Sequence, residues 1–314
     1  MNIVILSDYD AAGNMYNLAS GINTYTDHSA VAIKLRYHKT FHYPTTLLAT
    51  KKNLSKIRKL IYESDAVVFK EEPQIPLKYG IDLKKLRHKP IVFLVGGWGF
   101  RNRDIYAKNR RTYSKKNLPN IKWGTTSIDF LEKNPSWGWV PACIRLEELR
   151  RTYNYSKLTP PLIVASPSSS TNSMLKMDIL FEKTKTFLED RDLSFQTLFI
   201  RNLDNDSCLN AKASASIFFD RIYDIYGINS QEAAAFEAIV ITGSSEFTLD
   251  KLRSLGFDCP FVIVQNDIEM RERMEELLLD EKRRRRGAKL GLEYIQKLHS
   301  GEESAKRLIE MLEG

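Results

Sequence analysis

Short apolar runs separated by amphipathic stretches set the pattern of this chain. Ile3-Val4-Ile5-Leu6 is the first run, ended by Ser7-Asp8-Tyr9-Asp10, and reads as a buried strand. A small-residue loop, Ala11-Ala12-Gly13-Asn14, then opens a helix through Leu18, Ile22 and Tyr25. Further strands are expected over 29–35, 65–69 and 91–95, with a basic amphipathic helix over 51–62. Strands that are apolar throughout, alternating with helices, imply a parallel sheet covered on both faces.

Residues 145–161 change character. A charged stretch is followed by a segment closing on Thr159-Pro160-Pro161, and the double proline reads as a linker. The pattern then restarts with a strand over 162–165, a polar loop over 166–173 and a helix over 174–188. Strands follow over 195–200, 215–219, 238–242 and 260–264, and two amphipathic helices over 269–278 and 289–312. The expected architecture is α/β, with an N-terminal Rossmann-like domain over 1–157 and a second over 158–314. Ligands of such sheets bind at the carboxyl ends of the strands, here in a cleft that the two domains are expected to face.

Composition narrows the class. The chain has 314 residues, 43% hydrophobic and 27% charged, which is globular and long enough for two cores. No apolar run approaches the ~20 residues of a membrane span. The opening run is too short for a secretory signal, so a cytoplasmic location is expected. Cys143, Cys208 and Cys259 lie far apart, and the five histidines are scattered. Neither a disulfide framework nor a metal site is expected, and no Gly-x-Gly-x-x-Gly follows a strand, which argues against a dinucleotide oxidoreductase. The formal charge of +8, with a pI near 9.2, favours anionic partners: nucleotide phosphates, an acidic membrane surface or nucleic acid. The run Lys282 to Arg286 reads as a solvated helix face.

The segment richest in chemistry is Asp220 to Ala235. A strand ends near Asp220, a loop carrying Asp224, Tyr226 and Gly227 follows, and a helix begins near Ser230. Free N–H groups at that helix start suit nucleotide phosphates, and Glu232 in the first turn suits ribose hydroxyls. The alternative is an ordinary cap, with Asn229 or Ser230 bonded to the helix start.

Asp224-x7-Glu232, with Tyr226-Gly227 and Glu232-Ala233-Ala234-Ala235 in place, resembles the nucleotide-sugar motif Glu-x7-Glu of family 4-like GT-B glycosyltransferases. The first acid here is Asp. The resemblance implies that Glu232 binds the donor ribose, and that Tyr226, Gly227, Ile228, Asn229 and Ser230 lie near the donor sugar or phosphate. Asp8 to Gly13 resembles the loop after the first GT-B strand, and Trp139-Val140-Pro141 the end of the N-terminal domain. Gly96-Gly97-Trp98-Gly99-Phe100-Arg101 resembles the loop His-Gly-Ser-Asp-x-Arg, with Gly96 in place of the histidine. The polar loop with Ser168 and Ser169, leading to Lys176, resembles the phosphate loop of the second domain. Leu298-His299-Ser300 and the last helix resemble the helix that crosses back to the first domain.

The resemblance implies a glycosyltransferase using a nucleotide-sugar donor, a UDP-sugar favoured, with retention and without metal or other cofactor. Candidate catalytic residues are Asp8, Asp10 and Asp224. Asp8 and Asp10 would bind acceptor hydroxyls or activate one as general base, although loop aspartates also form turns. Gly13, Gly97, Ser168, Ser169 and Lys176 join the donor set. The acceptor is open between DNA with hydroxymethylated bases, a glycan and a lipid-linked sugar met at an anionic surface. A nucleotide-sugar-binding protein without turnover is the other alternative.

Overall fold

The computed structural model describes residues 1–37, 44–70, 75–96, 120–166, 171–201, 203–222 and 225–314. It divides into two compact units, one of Met1–Arg145 with Leu298–Gly314 and one of Leu146–Lys297.

The first unit is built on β1 (Asn2–Ser7), β2 (Ser29–Lys34), β3 (Leu47–Leu48), β4 (Ala66–Lys70), β5 (Ile91–Val95), β6 (Ile121–Thr125) and β7 (Gly138–Trp139), in the order β3-β2-β1-β4-β5-β6-β7. Every pairing among them is parallel. Ile3, Ile5, Ala30, Ala32, Ala66 and Val68 turn to one face, where Leu18 and Ile22 of the Asn14–Tyr25 helix and Leu308 and Leu312 of the Glu302–Glu313 helix cover them. Val4, Leu6, Ile33, Val67 and Phe69 turn to the other, onto Ile57 and Ile61 of the Leu54–Glu63 helix. Two covered faces are why these strands are apolar at successive positions rather than alternating.

The second unit carries β8 (Leu162–Ala165), β9 (Gln196–Phe199), β10 (Ile217–Phe219), β11 (Ile239–Thr242) and β12 (Val262–Ile263), also parallel, in the order β12-β11-β10-β8-β9. Ile163, Phe219 and Ile241 pack on Met177 and Phe181 of the Thr171–Glu189 helix and on Met270 and Met274 of the Asp267–Leu279 helix. The opposite face, with Val164, Phe218 and Val240, is equally buried. There Ala233, Ala234 and Ala235 let the Ile228–Ala235 helix approach β10 and β11 closely.

Three expectations change. The boundary falls at 145/146, not 157/158, because the Leu146–Thr152 helix packs on the Ile228–Ala235 helix of the second unit. Arg150 fastens it by donating to Ala235 O at 2.7 Å and to Glu237 Oε1 at 3.0 Å. The chain then returns, so that its last helix belongs to the first unit. The helix expected over 289–312 is two, Glu281–Leu298 and Glu302–Glu313, broken where Gly301 takes φ 113°, a conformation that glycine reaches without a Cβ penalty. The Asn205–Ser214 helix and strands β3, β6 and β7 were not expected from the pattern. Among the described residues no helix is long and apolar enough to cross a membrane. The run Lys282 to Arg286 is exposed apart from half-buried Arg284, and is tied down by Arg283 to Glu276 at 2.8 Å and Arg285 to Glu281 at 2.6 Å.

Candidate functional site

In the second sheet β8 connects outward to β9 on one side, and the chain then returns to β10 on the other. The carboxyl ends of β8 and β10 therefore flank the reversal point at which open α/β sheets bind ligands. Asp220 follows β10 and is 1% exposed. Its Oδ2 accepts from Gly227 N–H at 3.1 Å and Ser230 Oγ at 2.6 Å, and its Oδ1 from Arg221 Nε at 3.2 Å. This carboxylate clamps the loop that delivers the Ile228–Ala235 helix.

A second network crosses the helix start. Asn229 Nδ2 donates to Ser166 Oγ at 3.1 Å, just past β8. Lys212, on the Asn205–Ser214 helix, donates to Asn229 Oδ1 at 2.7 Å and to Glu232 Oε2 at 2.5 Å. Lys212 is 3% exposed and Glu232 9%, so the pair is held largely out of water. No donor among the described residues takes Glu232 Oε1.

The ordinary-cap alternative fails. The residue before the helix is Gly227, with no side-chain cap, and the Asn229 and Ser230 side chains are committed to Ser166, Lys212 and Asp220. The first intrahelical bond runs from Gln231 N–H to Gly227 O at 3.2 Å. The amides of Ile228, Asn229 and Ser230 thus precede the helix's own bonding, at its positive end. Chemically this is one carboxylate oxygen and several N–H groups beside a reversal point, suited to sugar hydroxyls and phosphate oxygens.

Tyr226 departs from its expected role. Its hydroxyl meets Tyr294 OH at 2.5 Å and its ring sits edge-on to Phe261 at 5.0 Å, so it anchors the loop in the core. Asp224, Gly97, Ser168 and Ser169 lie outside the described residues. Lys176 falls on the Thr171–Glu189 helix, with its side chain outside the described part.

The first sheet reverses between β1 and β4. Asp8, just past β1, accepts from Arg36 Nε at 3.0 Å and Nη2 at 2.8 Å, and from Lys78 Nζ at 2.8 Å. Burial alone would raise its carboxyl, but the bonds from Lys78 and Arg36 outweigh burial and hold it below the ordinary value. Asp10, at φ 48°, accepts from Met15 N–H at 2.8 Å and Tyr16 N–H at 3.1 Å. It caps the helix that follows Gly13. To act as a general base, either aspartate must give up these bonds.

Two lysines stand at the same edge, each 1% exposed: Lys34 at the end of β2 and Lys70 at the end of β4. Burial pulls Lys34 below the ordinary lysine value, and Asp10 opposes it. Lys70 Nζ donates to Thr126 Oγ1 at 3.3 Å. A Cβ on Gly96 would overlap Thr126 Oγ1 and lie 2.8 Å from Lys70 Nζ. The space of a larger residue at 96 is therefore filled by a threonine and an ammonium group.

Lys212, Asp220, Lys34 and Lys70 escaped the sequence reading. The signal at Lys34 and Lys70 was legible: each is a lone charge closing an otherwise apolar strand, Ala30-Val31-Ala32-Ile33-Lys34 and Ala66-Val67-Val68-Phe69-Lys70. Lys212 sits on a helix whose one clear sign was the cap, Asp204 accepting from Ser207 N–H at 2.8 Å.

No family model matches the chain, and no curated protein matches it in sequence. Solved structures do match in fold. An alpha-glucosyltransferase in complex with UDP-glucose and DNA containing an abasic site has a TM-score of 0.68 at 12% identity, covering 100% of both chains. Anabaena Alr3699/HepE in complex with UDP-glucose has a TM-score of 0.60 at 11% identity, covering 99% of both. The UDP-GlcNAc 2-epimerase from Methanocaldococcus jannaschii has a TM-score of 0.56 at 13% identity, covering 100% of both. The fold of this chain is accordingly the α/β GT-B architecture of UDP-sugar glycosyltransferases and the epimerase that shares it.

Proposed function

We propose that this protein is a glycosyltransferase that moves a sugar from a nucleotide-sugar donor, a UDP-sugar first, to an acceptor hydroxyl. The observation that carries the reading is the Glu232 carboxylate. It lies one turn into a helix without a side-chain cap, at the reversal point of the second sheet, with Lys212 on one oxygen and no donor among the described residues on the other. That arrangement fits a ribose on Oε1 and phosphates on the amides of Ile228, Asn229 and Ser230. The likeness to proteins solved with UDP-glucose supports UDP as the first nucleotide to test.

Transfer requires the leaving diphosphate to be stabilised as charge grows on it, and preorganised donors do this best. The helix amides, Ser168, Ser169 and Lys176 are assigned that role, and Gly13 and Gly97 close backbone approach to the ligand. Asp224 is assigned the donor sugar. Retention of configuration without a metal belongs to the same reading. UDP should bind and raise the melting temperature, and UDP-glucose should be slowly hydrolysed. Failure of every UDP-, GDP- and ADP-sugar to bind would remove the reading. Binding of one without hydrolysis or transfer would make the protein a nucleotide-sugar-binding member of the fold, a reading that Gly96 favours.

A DNA acceptor is the specific second reading, favoured by the formal charge of +8 and by the similarity to a structure holding DNA. It predicts a duplex gel shift at low salt that collapses steeply as salt rises. No shift at low salt sinks it.

A further inference from the structure

The Glu281–Leu298 helix begins with five consecutive basic residues, Lys282 to Arg286, and its inward face fixes where they stand. Gly287 lies against Ile239, the first residue of β11, where an added Cβ would come within 2.4 Å of Cδ1, and Gly291 faces Ala234 and Phe261. Further along, Tyr294 OH meets Tyr226 OH at 2.5 Å, one residue before Gly227. The helix therefore runs from the amino end of the second sheet to the loop that delivers Glu232. Lys282 precedes Tyr294 by twelve residues, about 18 Å along the axis. The basic run projects at the end of the sheet away from the Glu232 network.

One of the five turns inward. Arg284 Nη1 donates to Leu277 O at 2.5 Å and Leu278 O at 3.4 Å, on the last turn of the preceding helix, which sets its neighbours outward. At 3.6 residues per turn Lys282, Arg286 and Leu290 share one stripe, with Arg285 and Lys289 on the next, and all five are exposed. Arg285 pairs with Glu281, and Lys289 reaches Glu293 at 4.0 Å. Lys282 and Arg286 make no ion pair among the described residues. Leu290, on their stripe, is 43% exposed, and Leu279, three residues before Lys282, is 69% exposed. A lone exposed leucine is ordinary. Leucines set among unpaired cations on an outward stripe are the composition of a face that lies on an anionic bilayer, with cations at the headgroups and leucines at the acyl boundary.

We propose that this face, with Lys282, Arg286 and Leu290 on its stripe and Leu279 before it, docks the second unit on an anionic lipid surface. The proposal does not rest on the glycosyl-transfer reading. A nucleic-acid backbone fits the face less well. It is gripped by cations and polar donors and gains nothing from a leucine, and a duplex held here would lie at the opposite end of the sheet from Glu232. The contact is peripheral and needs no spanning helix.

The test uses the full chain with vesicles of phosphatidylcholine alone and vesicles holding phosphatidylcholine and phosphatidylglycerol in equal parts, by co-sedimentation at low and raised salt. A gel shift with duplex DNA is the comparator. The chain should bind the mixed vesicles and not phosphatidylcholine alone, and should be released as salt rises. Lys282→Glu with Arg286→Glu should weaken binding about tenfold or more, with melting temperature and UDP affinity unchanged, because neither side chain makes an ion pair or packs in the core. Leu279→Ser with Leu290→Ser should weaken it about threefold. Lys51→Glu with Lys52→Glu, both exposed on the first unit, removes the same formal charge and should leave vesicle binding intact. Absence of binding to the mixed vesicles overturns the proposal. So does an equal loss in the Lys51 and Lys52 pair, which would make net charge the whole cause. Unchanged vesicle binding in the leucine pair overturns it too, and duplex binding abolished by the Lys282 and Arg286 changes would then assign the face to nucleic acid. If UDP fails to bind the parent, the glycosyl-transfer reading falls while the vesicle result stands.

Discussion

Lys212 and Glu232 lie twenty residues apart in sequence and form a buried ion pair, Nζ to Oε2 at 2.5 Å, that leaves Oε1 without a donor among the described residues. Removing one partner of such a pair leaves an uncompensated buried charge. Lys212→Met should lower stability by about 3 kcal/mol and weaken UDP binding, as measured by denaturant unfolding and calorimetry. Glu232→Gln keeps an acceptor oxygen for Lys212 but leaves its ammonium uncompensated, so it should also lower stability, by about 3 kcal/mol, and lower the UDP affinity of the folded protein about tenfold. Unaltered UDP affinity in Glu232→Gln would refute the ribose role.

Gly96→His tests whether the missing histidine limits this protein. Its Cβ would collide with Thr126 Oγ1 and crowd Lys70 Nζ. Overpacking of this kind costs about 1–3 kcal/mol. We expect a less stable protein with no gain in sugar transfer. A gain in transfer would show that the space at 96 is adaptable.

His299 sits in the break before the last helix, 3% exposed, with Nδ1 donating to Ala142 O at 2.6 Å. Burial lowers its pKa from 6.5 to about 4, the backbone bond opposing. The folded state thus prefers neutral imidazole, while the unfolded chain takes a proton below 6.5. The stabilisation is complete above pH 6.5 and is lost as pH falls toward 4, by roughly 3 kcal/mol in total. His299→Gln should flatten that slope in unfolding titrations. A parent whose stability is constant from pH 7 to 4 would contradict this.

Lys157 closes two helix ends, its ammonium donating to Ala213 O, Ala215 O and Phe236 O at 3.2, 2.6 and 2.6 Å. Lys157→Met strands these carbonyls and should lower stability by at least about 2 kcal/mol. UDP affinity of the folded fraction should be unchanged, since the proposed nucleotide site lies at the other end of the Ile228–Ala235 helix.

What was legible in the sequence was what local spacing encodes. A helix start near Ser230, two residues past the observed start at Ile228, follows from Gly227 and the alanine run Ala233 to Ala235. Ile3 to Leu6 and Leu162 to Ala165 announced strands because both faces of each are covered, which demands apolar residues at every position. The break at Gly301 was hidden because the apolar spacing continues on both sides of it. Tyr226 was misplaced because an aromatic before a glycine looks the same whether it faces a ligand or Phe261 and Tyr294.

The sequence by itself determined two parallel, helix-covered sheets and a helix start beside a strand end, because periodic burial and helix-start chemistry are written within a dozen residues. Only the tertiary structure decided which charges meet. Strand order brings Lys34 and Lys70 to one sheet edge, and helix packing brings Lys212 to Glu232. These are contacts between residues remote in the chain, whose partners are chosen by crossover topology and burial rather than by any local pattern.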